Sequence, residues 1–156
     1  MMIFMDTSAW VKYFIEEDGT EEIQKFILNE SDTKTNVFSA SAVTYAEMLA
    51  TLRRSFAGKR VTEDEYNQAV IAFKEQWENI NIPEVNNFLI EKLGVFAQKY
   101  TLKGCDAFQL ASALTIRADI FVNSDNDLHN AARDSGLTVW NPVDGEFSET
   151  SYQKRE

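Results

Sequence analysis

Asp6, Glu47, Asp106 and Asp125 are far apart in the chain, yet the apolar pattern around them brings all four to one rim. Asp6 directly follows the apolar run Met2–Met5, and Asp125 lies a few residues beyond Ile120-Phe121-Val122. Both runs read as buried strands, and an open parallel sheet binds ligands outside the carboxyl ends of its strands. A helix over 104–117 meets the start of strand 120–122 through the turn Ala118-Asp119. Asp106, at the beginning of that helix, therefore lies at the opposite, carboxyl end. Glu47 falls one to two turns into the helix after Val37-Phe38, which starts on the same edge. Four crowded carboxylates do not all ionise without a cation. Mg²⁺ is suited to them, since it takes hard oxygen ligands and joins one or two carboxylates to phosphate oxygens. Such a site activates a water and stabilises in-line displacement at phosphorus. The residues alone therefore point to a metal-dependent enzyme acting on phosphate esters.

Each acid also has a purely structural reading. Asp6 could cap the following helix, and Asp106 stands in a first helical turn, where the dipole favours acids. Ser124-Asp125-Asn126-Asp127 has the form of a capping box, and Asp127 is assigned to it. Glu47 resists such an explanation. Its helical neighbours Val43, Thr44, Ala50 and Thr51 make a small, partly apolar face on which a carboxylate needs a partner.

The elements that must position these residues follow from spacing. Thr7-Ser8 is expected to cap a helix beginning near Ala9, with Trp10, Val11, Phe14 and Ile15 at helical intervals. Gly19-Thr20 closes it and opens a second helix carrying Ile23, Phe26 and Ile27. After strand 37–38, a long helix runs from Ser41 to Phe56 and stops at Gly58. The pair Thr62 and Glu65 forms a capping box before Tyr66, Ala69, Val70, Phe73 and Trp77. Ile80-Asn81-Ile82 reads as a short strand. Pro83 is placed at the first position of a helix bearing Val85, Phe88, Leu89, Phe96 and Tyr100. The helix from Gly104 is apolar on most sides and so is central. Strand 120–122, a helix from Ser124 to Arg133 and strand 137–140 complete the series. Strands alternating with helices imply an α/β fold, a parallel sheet covered on both faces. The expected domain spans 1–143, with a polar tail over 144–156 outside the core.

Composition excludes several classes. The 156 residues suit one domain, and 44% are hydrophobic. A single cysteine, Cys105, and a single histidine, His129, rule out an internal disulfide and the usual zinc sites, and leave a His-based triad with one base to draw on. Chemistry falls to the carboxylates. The net charge of −10 argues against a protein that coats nucleic acid, though not against an enzyme touching a few phosphates. No apolar run approaches the ~20 residues of a membrane span. The start has no secretory pattern, so a reducing, cytoplasmic location is expected.

Taken together, the segments around the acids resemble the PIN-domain family, and within it the small VapC-type toxin ribonucleases. Phe4-Met5-Asp6-Thr7-Ser8-Ala9 is similar to the family's strand-then-Asp signature. Thr44-Tyr45-Ala46-Glu47-Met48-Leu49 resembles its helical acidic motif. Leu102 to Ala113, centred on Asp106-Ala107, resembles the third motif. Phe121-Val122-Asn123-Ser124-Asp125, with Leu128, Ala131-Ala132, Gly136-Leu137 and Asn141-Pro142, resembles the closing one.

The resemblance implies a three-layer α/β/α domain with a central, mainly parallel sheet. It implies that Asp6, Glu47, Asp106 and Asp125 form a catalytic Mg²⁺ or Mn²⁺ site. It further implies endonucleolytic cleavage of RNA, a VapB-type antitoxin as partner, and a homodimer. Asn123 stands where Ser or Thr is frequent, and its amide is expected to bond a neighbouring carboxylate or a metal water. Ser8 is a supporting donor near Asp6, and Asp127 a fifth acid acting through water unless it is only part of the cap.

Arg53-Arg54 and Lys59-Arg60 are the densest basic cluster. Arg54, seven residues past Glu47, shares nearly the same helix face. Arg53 and Arg54 either grip substrate phosphate or an antitoxin acid, or merely serve as cations at a helix C-terminus. Cys105 is expected to be a packed small residue, and His129 a surface one. Two rivals stay open: a phosphatase or phosphotransferase with Asp6 as nucleophile, and a non-catalytic PIN-like binding module. The first usually needs a second acid two residues on, where Ser8 stands.

Overall fold

The computed structural model describes residues 1–148. Strand β1 (Met2–Met5) leads into α1 (Thr7–Phe14) and α2 (Thr20–Ser31), and β2 (Val37–Ser39) into α3 (Ala42–Ala57) and α4 (Glu63–Trp77). Then come α5 (Asn87–Tyr100), α6 (Gly104–Thr115), β3 (Ile120–Val122), α7 (Asn126–Asp134), β4 (Val139–Trp140) and a short 3-10 turn at Pro142–Asp144. The strands lie in the order β2-β1-β3-β4, and every pairing is parallel.

Alternation along the two central strands makes the layers. Ile3 and Met5 of β1, with Ile120 and Val122 of β3, face a core built with Trp10, Ile23, Met48, Leu52 and Phe73 from α1 to α4. Phe4 and Phe121 point the other way and stack at 5.5 Å, against Leu110, Ala113, Leu128 and Ala132 of α6 and α7. This is the expected three-layer α/β/α arrangement. Strands buried on both faces need continuous apolar runs, which is what β1 and β3 supply. Among the described residues no helix is long and apolar enough to cross a membrane.

Five local expectations are corrected. Asp6, not Thr7-Ser8, is the N-cap of α1, accepting from the Ala9 N–H, so the helix begins two residues earlier. Pro83 does not start α5. Asn86 caps it instead, its side chain accepting from the Leu89 N–H, and a side-chain cap defines a helix start that a proline only tolerates. Ile80–Ile82 is a single bridge between Asn81 and Ser39 rather than a strand, and β4 is confined to Val139–Trp140. The tail contributes Phe147 to the core, its ring 5.2 Å from Phe26 and 5.6 Å from Trp140. The rest of that tail, 149–156, lies outside the described residues.

Candidate active site

Successive chain segments leave β1 in opposite directions, to β2 on one side and to β3 and β4 on the other. A crevice forms at such a switch point, outside the carboxyl ends. Met5 and Val122 are in register there, and the Asp6 N–H donates to the Val122 carbonyl at 3.1 Å. The segments that carry Asp6 and Asp125 therefore leave the sheet side by side. Asp6, Glu47, Asp106 and Asp125 all line one cavity of about 320 Å³, with Thr7, Ser8, Glu17, Thr51 and Gln109.

Asp6 is buried, and its Oδ1 accepts from the Ser8 hydroxyl at 2.7 Å and the Ala9 N–H at 2.9 Å. Burial still wins over these two bonds. It raises the pKa to about 7, with Asp125 and Glu47 pushing the same way. Ser8 thus stands where expected, and it also ties two loops, since its oxygen accepts from the Ser124 N–H at 2.9 Å. Asp106, in the first turn of α6, is pushed up by its own burial first, then by Asp125, while Lys103 opposes. Asp125 caps α7 through Oδ1, which accepts from the N–H groups of Asp127 and Leu128 at 3.0 and 3.1 Å.

That cap corrects the reading of Ser124 to Asp127 as a capping box. Asp127 supplies a backbone N–H to Asp125 and is itself exposed in the first turn, outside the cavity lining. Asn123 is fully buried, and its Nδ2 donates to the backbone carbonyl of Asp125 at 2.9 Å rather than to a carboxylate. It shapes the loop and not the charge. Arg54 donates at 2.7 Å to the hydroxyl of Thr51, which lines the cavity, though Arg54 itself does not. Arg53 turns away, its guanidinium 5.2 Å from the Phe56 ring and 5.9 Å from that of Tyr66. Cys105 is exposed rather than packed, and partial shelter with Glu47 nearby holds its thiol above the usual range. His129 lies half-buried against Arg133, in a different cavity.

Four contributors were not anticipated as site residues. Thr7 donates to Glu47 Oε2 at 2.6 Å, and Gln109 donates to the same oxygen at 3.1 Å. Gln109 also reaches Thr7 at 2.9 Å and Thr44 at 3.0 Å. Its signal in the sequence was a lone amide in an otherwise apolar helix, which must find buried partners. Glu17 lines the cavity as a fifth acid, paired with Lys12 at 2.9 Å and Arg60 at 3.6 Å. It also borders a neighbouring cleft of about 800 Å³ that holds none of the other four acids.

The donor set is all hard carboxylate oxygen, and a buried acid driven to about 7 beside like charges calls for a cation. Hard divalent ions fit that chemistry. Among the described residues no three His, Cys, Asp or Glu side chains are grouped tightly enough to hold an ion as they stand.

The PIN-domain sequence profile matches residues 3–134, which include every one of these acids. The chain belongs to the PIN-domain family. This PIN domain is 26% identical over 140 residues to the ribonuclease VapC45 of Mycobacterium tuberculosis, covering 88% of this chain and 94% of that one. Its fold matches VapBC2 of Rickettsia felis, solved on a promoter DNA fragment, with a TM-score of 0.66 at 13% identity over 90% of this chain and 98% of that one. It also matches M. tuberculosis VapC20, described as a toxin cleaving the sarcin-ricin loop, with a TM-score of 0.63 at 16% identity over 87% and 96%.

Proposed function

We propose that this PIN domain is the ribonuclease toxin of a toxin–antitoxin pair, cutting RNA phosphodiesters at the rim formed by Asp6, Glu47, Asp106 and Asp125. The observation that carries the reading is that these four acids, from four separate segments, line one cavity. The relatives support the substrate: one is a ribonuclease, and another a toxin that cleaves an RNA loop. A VapB-type antitoxin is the matching partner, because fold neighbours are VapB–VapC complexes. The cytoplasm, where both would meet RNA, is the expected location.

Asp6, Glu47, Asp106 and Asp125 would hold Mg²⁺ or Mn²⁺. When bound, such an ion neutralises the carboxylates, makes a water more acidic and stabilises charge on the scissile phosphate. The residues of the chain prepare this. Ser8 and the Ala9 N–H orient Asp6, and the start of α7 orients Asp125. Lys103 and Arg54 are the cations placed to meet flanking phosphates.

The test is cleavage of a structured RNA mixture by antitoxin-free protein, with Mg²⁺ or Mn²⁺, comparing wild type with Asp6→Asn. Wild type should cut, EDTA should stop it, and the variant should stay folded while losing at least about a hundredfold in rate. Equal cutting by both proteins places the activity elsewhere. Metal binding without any cleavage favours a non-catalytic module, and a trapped phospho-aspartate at Asp6 favours phosphotransfer.

A further inference from the structure

We infer that Gln109 is a positioning residue that decides which oxygen of Glu47 faces a divalent cation. The inference rests on the reading of the acidic rim as a cation site. Gln109 is 2% exposed, one turn along α6 from Asp106. Its Nε2 stands 3.1 Å from Glu47 Oε2, 2.9 Å from Thr7 Oγ1 and 3.0 Å from Thr44 Oγ1. Thr7 commits its own proton to Glu47 Oε2, over the short distance of 2.6 Å. Its oxygen is then available only as an acceptor, and the Gln109 amide N–H donates to it. Turning the amide over would set a carbonyl oxygen against a carboxylate, so charge fixes its orientation. Side chains from α1 and α6 thereby hold one carboxylate oxygen of α3 from two directions.

The other acids show why such a clamp is needed. Asp6 Oδ1 accepts two donors, from Ser8 and Ala9, and Asp125 Oδ1 accepts two, from Asp127 and Leu128. Glu47 Oε2 accepts two as well, so three acids share one pattern: one oxygen tied down twice by the protein. Among the described residues no N–H or O–H bonds the second oxygen of any of the three, and the weakly donating Cys105 thiol is the further group acting on Glu47. Asp6 and Asp125 find their donors at helix N-termini, where backbone N–H groups are unpaired. Glu47 sits inside α3, where every nearby backbone N–H is already bonded within the helix. Its two donors must be side chains, and Thr7 and Gln109 are those side chains. With Oε2 held, Oε1 is the oxygen offered to the ion.

The experiment is Mn²⁺ titration of the metal-free protein by calorimetry, for wild type, Gln109→Met and Thr7→Val, with folding checked by circular dichroism in EDTA. Groups that orient metal ligands typically contribute 10–100-fold in affinity. Both variants should therefore bind Mn²⁺ about tenfold more weakly or worse while remaining folded. If folded Gln109→Met unfolds more readily yet binds Mn²⁺ like wild type, Gln109 is only a satisfied core amide and the inference is overturned. Should Gln109→Met not fold, wild-type affinity in Thr7→Val overturns it equally, because binding would then not depend on Glu47 Oε2 being held by both side-chain donors. Wild type that binds no Mn²⁺ overturns the cation site itself, an outcome separate from the other two.

Discussion

Replacing Asp6 by Asn should stabilise the metal-free protein at alkaline pH while abolishing cleavage. Burial lifts the Asp6 pKa from 3.8 to about 7, against the opposing bonds from Ser8 and Ala9. Between about pH 4 and pH 7 the folded protein therefore holds a proton that the unfolded chain has released. Where the native state binds more protons, stability falls as pH rises. The contribution is fully present below the unfolded pKa and is lost as pH passes through about 7. A shift of about three units, at about 1.36 kcal/mol each, corresponds to roughly 4 kcal/mol. Local relaxation and water entry reduce it, so about 2–4 kcal/mol is the working range.

Asparagine keeps the oxygen that caps α1, is as good an N-cap, and has no charge to desolvate. In EDTA at pH 8 the variant should be more stable than wild type by that 2–4 kcal/mol, or roughly 5–15 °C in Tm. Near pH 4 the two should converge. Urea unfolding followed by far-UV circular dichroism at several pH values checks this, and the difference between the proteins isolates Asp6 from other titrating groups. A saturating divalent ion should close the gap by stabilising wild type, by about 2.7 kcal/mol at a hundred times its Kd. If the variant is no more stable than wild type at pH 8, burial does not dominate at Asp6 and the electrostatic case for a cation fails.

Two further outcomes follow from the same bonds. Ser8→Ala removes a donor from Asp6 and leaves the Ser124 N–H without its acceptor, so it should lower stability by about 1–3 kcal/mol in urea unfolding. The Ser8 bond is the main influence holding the Asp6 pKa down, so the cleavage profile should also move to higher pH. Arg54→Ala should raise KM roughly threefold to tenfold with unfolding midpoints unchanged, whereas Arg53→Ala should leave KM near wild type. Steady-state cleavage of a short RNA separates the two.

The sheet and its acids were legible because β1 and β3 are short apolar runs, each closely followed by an acid, and topology fixes where strand ends go. Asp106 was placed by the turn at 118–119 and Glu47 by helical spacing. What spacing does not carry is the angle between helices. Thr7, Thr44 and Gln109 meet only because α1, α3 and α6 converge behind the rim, so their network was invisible, although each lies within three residues of a predicted acid. Glu17 sits in the loop between α1 and α2, which no periodicity governs. Arg53 and Arg54 were inseparable as a pair of letters, yet one helical step of about 100° sends one to Thr51 beside the rim and the other onto Phe56. Pro83 misled because a proline marks a permitted start, and the Asn86 side chain makes the actual one.

The charge of the chain and the chemistry of its rim answer each other. With a net charge of −10, the protein repels a polyanion at long range. The rim gathers four of those acids and buries one of them, which concentrates the repulsion at the place where RNA would have to bind. A divalent ion bound there would change the sign: it would relieve the burial of Asp6, offset Glu47, Asp106 and Asp125, and give a phosphate oxygen something to approach. Lys103, which acts electrostatically on Asp106, and Arg54, bonded to the rim residue Thr51, would then be the nearby cations for a short-range contact that salt screens weakly. On the proposed reading, metal binding at the rim is the condition for substrate binding there.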